Sequence, residues 1–329
     1  MKSLKSKKLY LHIGPHKTGS SYLQKLLTHH RQKLFEFGIS YPDILFSLNG
    51  HHKIAHYFRK NTPKEDIFND LIRLRESSED ILLSSEVFSQ LDLKDINALK
   101  YFFNGWQIEI ICYVRNPSKR IVSFWQETIK QGSKENFWAY SLPHFVKPLS
   151  SPILNQGIVI DLYSRVFGKS HVHLIDYDYV YKNGQMLESL LRIIGASGAI
   201  SDEDIKVNTM LNSEDLELLR VLNIISDGMI SPKDNRKIFS RIKNRRIYDT
   251  LTKNIRNNMK KIVLGNTQAD RAILSRISKL YGDMFVSELD DLQEKSYYIS
   301  TDLYLCNQTL IKKLKGLQNE IFENLKAGM

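Results

Sequence analysis

The chain has 329 residues, 42% of them hydrophobic and 25% charged, a composition that suits a globular protein with a large core and excludes a disordered or fibrous chain. Its two cysteines, Cys112 and Cys306, exclude a disulfide framework and a cysteine-built metal centre. A net charge of +11 favours anionic ligands or surfaces, and no apolar run reaches the ~18 residues that a membrane span requires.

The start, MKSLKSKK, is basic like the head of a secretory leader. The apolar stretch behind it is short and broken by His12, Gly14, Pro15, His16 and Lys17, so a cytoplasmic protein is expected. Leu9, Leu11 and Ile13 predict a strand over 8–13, and Leu23, Leu26, Leu27 and Leu34 predict a helix over 19–36. Between them lies Gly14-Pro15-His16-Lys17-Thr18-Gly19-Ser20-Ser21, a tight turn that opens a helix. Free N–H groups and the helix dipole make such a turn an anion site, and Lys17 adds a full positive charge.

A short strand at 39–41 precedes helices near 51–60 and 65–77, the first opened by His51-His52. A strand over 80–84 ends at Ser84-Ser85-Glu86, and a helix follows near 93–103. The apolar strand 107–114 ends at Arg115, and Asn116-Pro117 opens a helix over 117–131 that carries Arg120, Ser123 and Trp125. Helices near 134–147 and 155–167, a strand at 171–175 and a helix over 183–195 continue the alternation. This is the α/β class: a parallel sheet flanked by helices, with a strand–loop–helix phosphate site at the carboxyl ends of the strands. After residue 200 the pattern is helical, at 213–227, 234–261, 267–282 and 305–327. The expected organisation is an α/β core over 1–200 and a mainly helical region over 201–329.

In the ATP/GTP loop, GxxxxGK[ST], the lysine follows the second glycine; here Lys17 precedes Gly19. That order resembles the 5′-phosphosulfate loop of sulfotransferases that use 3′-phosphoadenosine 5′-phosphosulfate (PAPS). The run LHIGPHKTGSSYLQ is similar to the opening of bacterial sulfotransferase-like proteins. So are Gly38-Ile39-Ser40-Tyr41-Pro42, Leu83-Ser84-Ser85-Glu86 and the stretch Asn208 to Asn223, and the likeness spans roughly residues 8 to 225.

The resemblance implies a P-loop-like fold and transfer of a sulfuryl group from PAPS, as donor substrate, to a hydroxyl of a carbohydrate or small-molecule acceptor, with no metal required. It implies that Gly14, His16, Lys17, Thr18, Gly19, Ser20 and Ser21 hold the 5′ side of the donor and that Arg115 and Ser123 hold the 3′-phosphate. Lys17 would stabilise the leaving oxygen. A general base is expected to help the acceptor hydroxyl, and the candidates rank Glu86, His52, His51.

Two other classes stay open. A kinase-like phosphotransferase would need a metal-binding carboxylate and a lysine after the second glycine. A non-catalytic basic binding protein would leave Lys17 and Arg115 without purpose. The segment 233–261 is strongly basic, with eleven lysines and arginines from Lys233 to Lys261 against Asp234 and Asp249. Its aromatics are sparse (Phe239, Tyr248), which disfavours nucleic acid. An anionic glycan acceptor or peripheral contact with an anionic membrane are the partner expectations.

Overall fold

The computed structural model describes residues 6–60, 65–200, 211–287, 292–302, 305 and 307–327. Asn208 and Cys306 lie outside the described residues. The chain divides into two compact units. Met1–Pro117, Asn155–Val207 and Asp270–Leu292 form the first, and Ser118–Leu154, Asn208–Ala269 and Gln293–Met329 form the second. A single cut at residue 200 therefore does not describe the division. Segment 118–154 belongs to the second unit, where Asn223 donates to the carbonyls of Ile129 (2.8 Å) and Ser133 (3.1 Å).

In chain order the elements begin with β1 (Lys8–His12), α1 (Ser20–His29), α2 (Arg31–Glu36), β2 (Ile39–Ser40), α3 (His52–Lys60), α4 (Glu65–Arg75) and β3 (Asp80–Ser84). They continue with α5 (Leu93–Phe102), β4 (Gln107–Val114), α6 (Pro117–Lys130), α7 (Phe137–Val146), α8 (Gly157–Phe167), β5 (Val172–Asp176), α9 (Tyr177–Lys182) and α10 (Met186–Ile194). The last are α11 (Ser213–Ser226), α12 (Pro232–Lys243), α13 (Ile247–Arg256), β6 (Met259–Leu264), α14 (Gln268–Tyr281), β7 (Lys295–Ser300) and α15 (Gln308–Ala327).

The first unit holds a five-stranded sheet in the order β2-β3-β1-β4-β5, parallel throughout. Its strands are apolar on both sides, as a parallel sheet covered on both faces demands. Leu11, Ile81, Leu83, Ile110 and Cys112 are buried on one face, and Tyr10, Leu82, Ile111 and Tyr113 on the other. The second set packs with Leu23, Leu26 and Leu27 of α1 and Leu187, Leu190 and Leu191 of α10. The order decides where a ligand can sit. From β1 the chain leaves towards β2 and β3; from β4 it leaves the other way, towards β5. Connections that diverge at the carboxyl ends of two neighbouring strands open a crevice between them.

Two expectations about elements are corrected. The helix expected over 19–36 is interrupted at His30 (φ −110°, ψ 26°). Two residues earlier the Thr28 hydroxyl donates to the Gln24 carbonyl (2.6 Å), a contact that tends to bend helices. The helix expected over 234–261 is two helices and a strand. Asn257 and Asn258 end α13, and β6 pairs antiparallel with β7, from Met259↔Ser300 to Leu264↔Lys295. The β-branched pair Ile262-Val263 favours a strand there.

In the second unit α11 packs against α12, α13 and α15. Arg220 is buried in it and donates to Glu217 (2.9 and 2.6 Å), Asp302 and the Lys134 carbonyl (2.8 Å). Of the basic segment, Lys237, Lys243, Arg245 and Arg256 pair with Asp234, Asp215, Glu320 and Glu214. Arg236 donates to the Lys130 carbonyl. Four of the eleven basic side chains are thus ion-paired within the unit.

Candidate active site

The turn after β1 is tied to the sheet at its base. Ile13 N–H donates to the Ile111 carbonyl (3.0 Å), and Tyr113 N–H donates to the Gly14 carbonyl (3.2 Å). Gly14 has φ +86°, and a Cβ there would lie 2.8 Å from the Glu86 Cα, so glycine alone fits. Gly19 (φ +78°) is the last residue before α1, and a Cβ on it would run into the Met186 side chain. Lys17 itself is left-handed (φ +69°), a costly conformation for a lysine. Hydrogen bonds on both sides hold it there. The Thr18 hydroxyl donates to the Pro15 carbonyl (2.5 Å), and Arg115 Nη1 donates to the Lys17 carbonyl (2.6 Å).

Helix α1 starts without a side-chain cap and with no acidic residue in its first turn. The Ser20 hydroxyl is buried beside this start and has no hydrogen-bond partner among the described residues. An uncapped helix start, an orphaned hydroxyl and Lys17 together suit a bound anion.

Arg115 leaves the carboxyl end of β4. Gln156 clamps that end: its Oε1 accepts from Arg115 N–H (2.8 Å), and its Nε2 donates to the Tyr113 carbonyl (2.9 Å). The guanidinium lies 4.8 Å from the Tyr177 ring centroid, a cation–π distance. Its Nε is buried and has no partner among the described residues. Arg115 thus braces the Lys17 turn with one nitrogen and keeps another available. Ser123 is nearly buried on the second turn of α6 and belongs to the second unit.

At the end of β3, Glu86 and the histidines meet. Glu86 Oε2 accepts from Gln24 Nε2 (3.1 Å) and lies 3.7 Å from His52 Nδ1. His52 Nδ1 is also 2.8 Å from the Ser85 hydroxyl. His16 Nε2 lies 2.7 Å from Gln90 Nε2. Burial pushes the Glu86 carboxyl up, but its own backbone N–H, His52, the Gln24 amide and His16 outweigh that, and it is held below the usual carboxylate range. It is therefore ionised at neutral pH, and at 20% side-chain exposure it stays reachable.

His51 differs from His52. It is fully buried, its Nδ1 accepts from Ser84 N–H (3.1 Å), and its Nε2 donates to the Pro42 carbonyl (2.9 Å). Burial lowers its pKa to about 4. Both ring nitrogens are committed, so His51 joins the loop before α3 to β3 and offers no site for a substrate proton. This corrects the inclusion of His51 among the bases. His12 is likewise buried, with Nδ1 2.7 Å from the Ser84 hydroxyl and a pKa lowered by burial to about 4.

The turn residues 14–21, Arg115, Glu86 and His52 were named from the sequence, and the first unit brings Gly14, Lys17, Arg115, Glu86 and His52 to the ends of three adjacent strands. Gln24, Ser84, Ser85, Gln156 and Tyr177 were missed. Gln24 carried a signal: it interrupts the apolar face of Leu23, Leu26 and Leu27 and is 1% exposed, and buried amides are hydrogen-bonded. Gln156 and Tyr177 carried none, since they reach Arg115 only through the fold. No group of three or more metal-ligating side chains occurs among the described residues.

No family model matches the chain, and no curated protein matches it. Among solved structures it is similar to the crystal structure of a sulfotransferase from Alicyclobacillus acidocaldarius, with a TM-score of 0.42 and 14% identity over 69% of this chain and 98% of that one.

Proposed function

We propose that this chain is a PAPS-dependent sulfotransferase acting on a hydroxyl of a carbohydrate or small-molecule acceptor. One observation carries the reading. The lysine-first turn Lys17-Thr18-Gly19-Ser20-Ser21 follows the central strand β1, and Arg115 from the neighbouring strand β4 grips it through the Lys17 carbonyl (2.6 Å). The donor fits what the turn leaves open. Ser20 Oγ and the N–H groups at the start of α1 suit the 5′-phosphate, and Arg115 Nε, without a partner among the described residues, suits the 3′-phosphate. The donor brings an already activated sulfuryl group.

In the reaction the acceptor oxygen forms a bond to sulfur, and the bond from sulfur to the 5′-phosphate oxygen breaks, leaving adenosine 3′,5′-bisphosphate. Lys17 stabilises the charge that builds on the departing oxygen. Glu86 takes the hydroxyl proton, and Gln24 and His52 hold its carboxylate in place.

Calorimetric titration tests the assignment. Adenosine 3′,5′-bisphosphate should bind without magnesium and ahead of both ATP and 5′-AMP, and radiolabelled PAPS should label a hydroxyl acceptor. Preference for ATP with magnesium would turn the reading to a phosphotransferase.

A further inference from the structure

The second unit carries a surface that the proposed reaction does not use. On α7, Phe137 and Ser141 face inward and are fully buried. Trp138, Leu142 and Val146 repeat every four residues on the opposite stripe and are 51, 59 and 67% exposed. Leu149, just past the helix, is also exposed. Trp138 lines one cleft with Lys260 and Lys261 of β6, two lysines whose side chains alternate across the strand. On the same face of the hairpin as Lys261, its cross-strand partner Tyr298 and the next outward residue, Val263, are about half exposed.

The lysines here differ from the ion-paired members of the basic segment. Lys237, Lys243, Arg245 and Arg256 are ion-paired, whereas the ammonium groups of Lys260, Lys261 and Lys147 have no ion pair or hydrogen bond among the described residues. An apolar ridge with a tryptophan at its rim and unpaired lysines beside it is the composition of a surface that rests in a lipid headgroup layer. The aliphatic side chains enter the acyl boundary, the indole sits at headgroup level, and the lysines meet anionic phosphates.

We propose that α7 and the β6–β7 hairpin form a docking surface for an anionic membrane. Charge complementarity selects this occupant over a second copy of the chain. A two-fold self-contact would gather Lys147, Lys260 and Lys261 of both copies into one interface, in a protein that already carries +11. Trp138 and Tyr298 could stack on bases, but the aliphatic side chains of Leu142, Val146 and Leu149, which offer a nucleic acid nothing, favour lipid. The proposal stands independently of the sulfotransferase reading, since none of these residues belongs to the Lys17 site.

The test uses the full chain and sedimentation with vesicles of phosphatidylcholine, with and without about 30% phosphatidylserine. Binding should be at least about 10-fold stronger to the anionic vesicles at low salt and should weaken as salt rises. Lys260→Glu with Lys261→Glu should cut it by about 10-fold or more. Leu142→Asp with Val146→Asp should abolish it, together with a blue shift of tryptophan emission that Trp138→Phe also removes. Circular dichroism and unchanged nucleotide binding would show these variants folded, and the lysine pair, being exposed, provides the check if the α7 pair fails to fold. Equal binding to neutral vesicles, no binding at low salt, or vesicle binding that survives the lysine reversal would overturn the proposal. A concentration-dependent dimer lost in the α7 variant, without vesicle binding, would overturn it too and assign the face to a second copy.

Discussion

Glu86→Gln is the sharpest test of the proposed chemistry. The substituted amide keeps the shape of the carboxylate, and its oxygen can still accept from Gln24 Nε2, now 3.1 Å from Glu86 Oε2. The change replaces one charge-assisted hydrogen bond by a neutral one, so stability should shift by only about 1 kcal/mol. Nucleotide binding should hold or tighten, because a negative charge leaves the neighbourhood of an anion site. Turnover should fall by about 10²–10⁴-fold, which is roughly 3–5 kcal/mol at the barrier.

The pH profile separates Glu86 from His52. A base must be deprotonated to act, so the rate falls once pH drops below its pKa. Glu86 is held below the usual carboxylate range, so the wild-type rate should stay level from about pH 8 to pH 5. A fall in rate within that range would point away from Glu86 as the base. The assay is transfer of labelled sulfate from PAPS across that range, alongside titration with adenosine 3′,5′-bisphosphate. Near wild-type turnover in Glu86→Gln, with His52→Ala dead and nucleotide affinity normal, would refute the assignment and make the histidine the base.

Three further outcomes are expected. Lys17→Ala should lower transfer by about 10²–10³-fold with the fold intact by circular dichroism, and full turnover would remove the central claim. Arg115→Ala should erase the preference for adenosine 3′,5′-bisphosphate over 5′-AMP. It should also weaken 5′-AMP binding, because the brace on the Lys17 carbonyl is lost; an unchanged preference in calorimetry would sink the 3′-phosphate role. His12 and His51 are both held near pKa 4, below the ordinary 6.5. Below pH 6.5 the unfolded chain takes up protons that the folded chain refuses, so their contribution is intact above that pH, falls towards pH 4 and is level beneath it. The loss at pH 5 is roughly 2 kcal/mol for each, seen as a lower urea midpoint than at pH 7. Glu109, depressed to about 2 with His173 and His171 as partners, titrates in the folded state beneath this window. An equal midpoint at the two pH values would show that the two histidines are not held neutral.

The sequence by itself determined the α/β core and the position of its central loop. Parallel strands buried on both faces read as short apolar runs, and strands 80–84 and 107–114 stand at the expected residues. Glycines with positive φ and a helix start are local features, so the Gly14–Ser21 turn was legible too. Tertiary structure alone decided the rest. Pairing of β6 with β7 joins residues more than thirty positions apart, and no local pattern announces a strand's partner. The same holds for the division into two units of three segments each. The two histidines His51 and His52 are neighbours in sequence, yet one is sealed between Ser84 and Pro42 while the other stands beside Glu86. A side chain's chemistry depends on its burial and its partners, and these are set by contacts distant along the chain, so residue type and spacing could name the histidines but could not tell them apart.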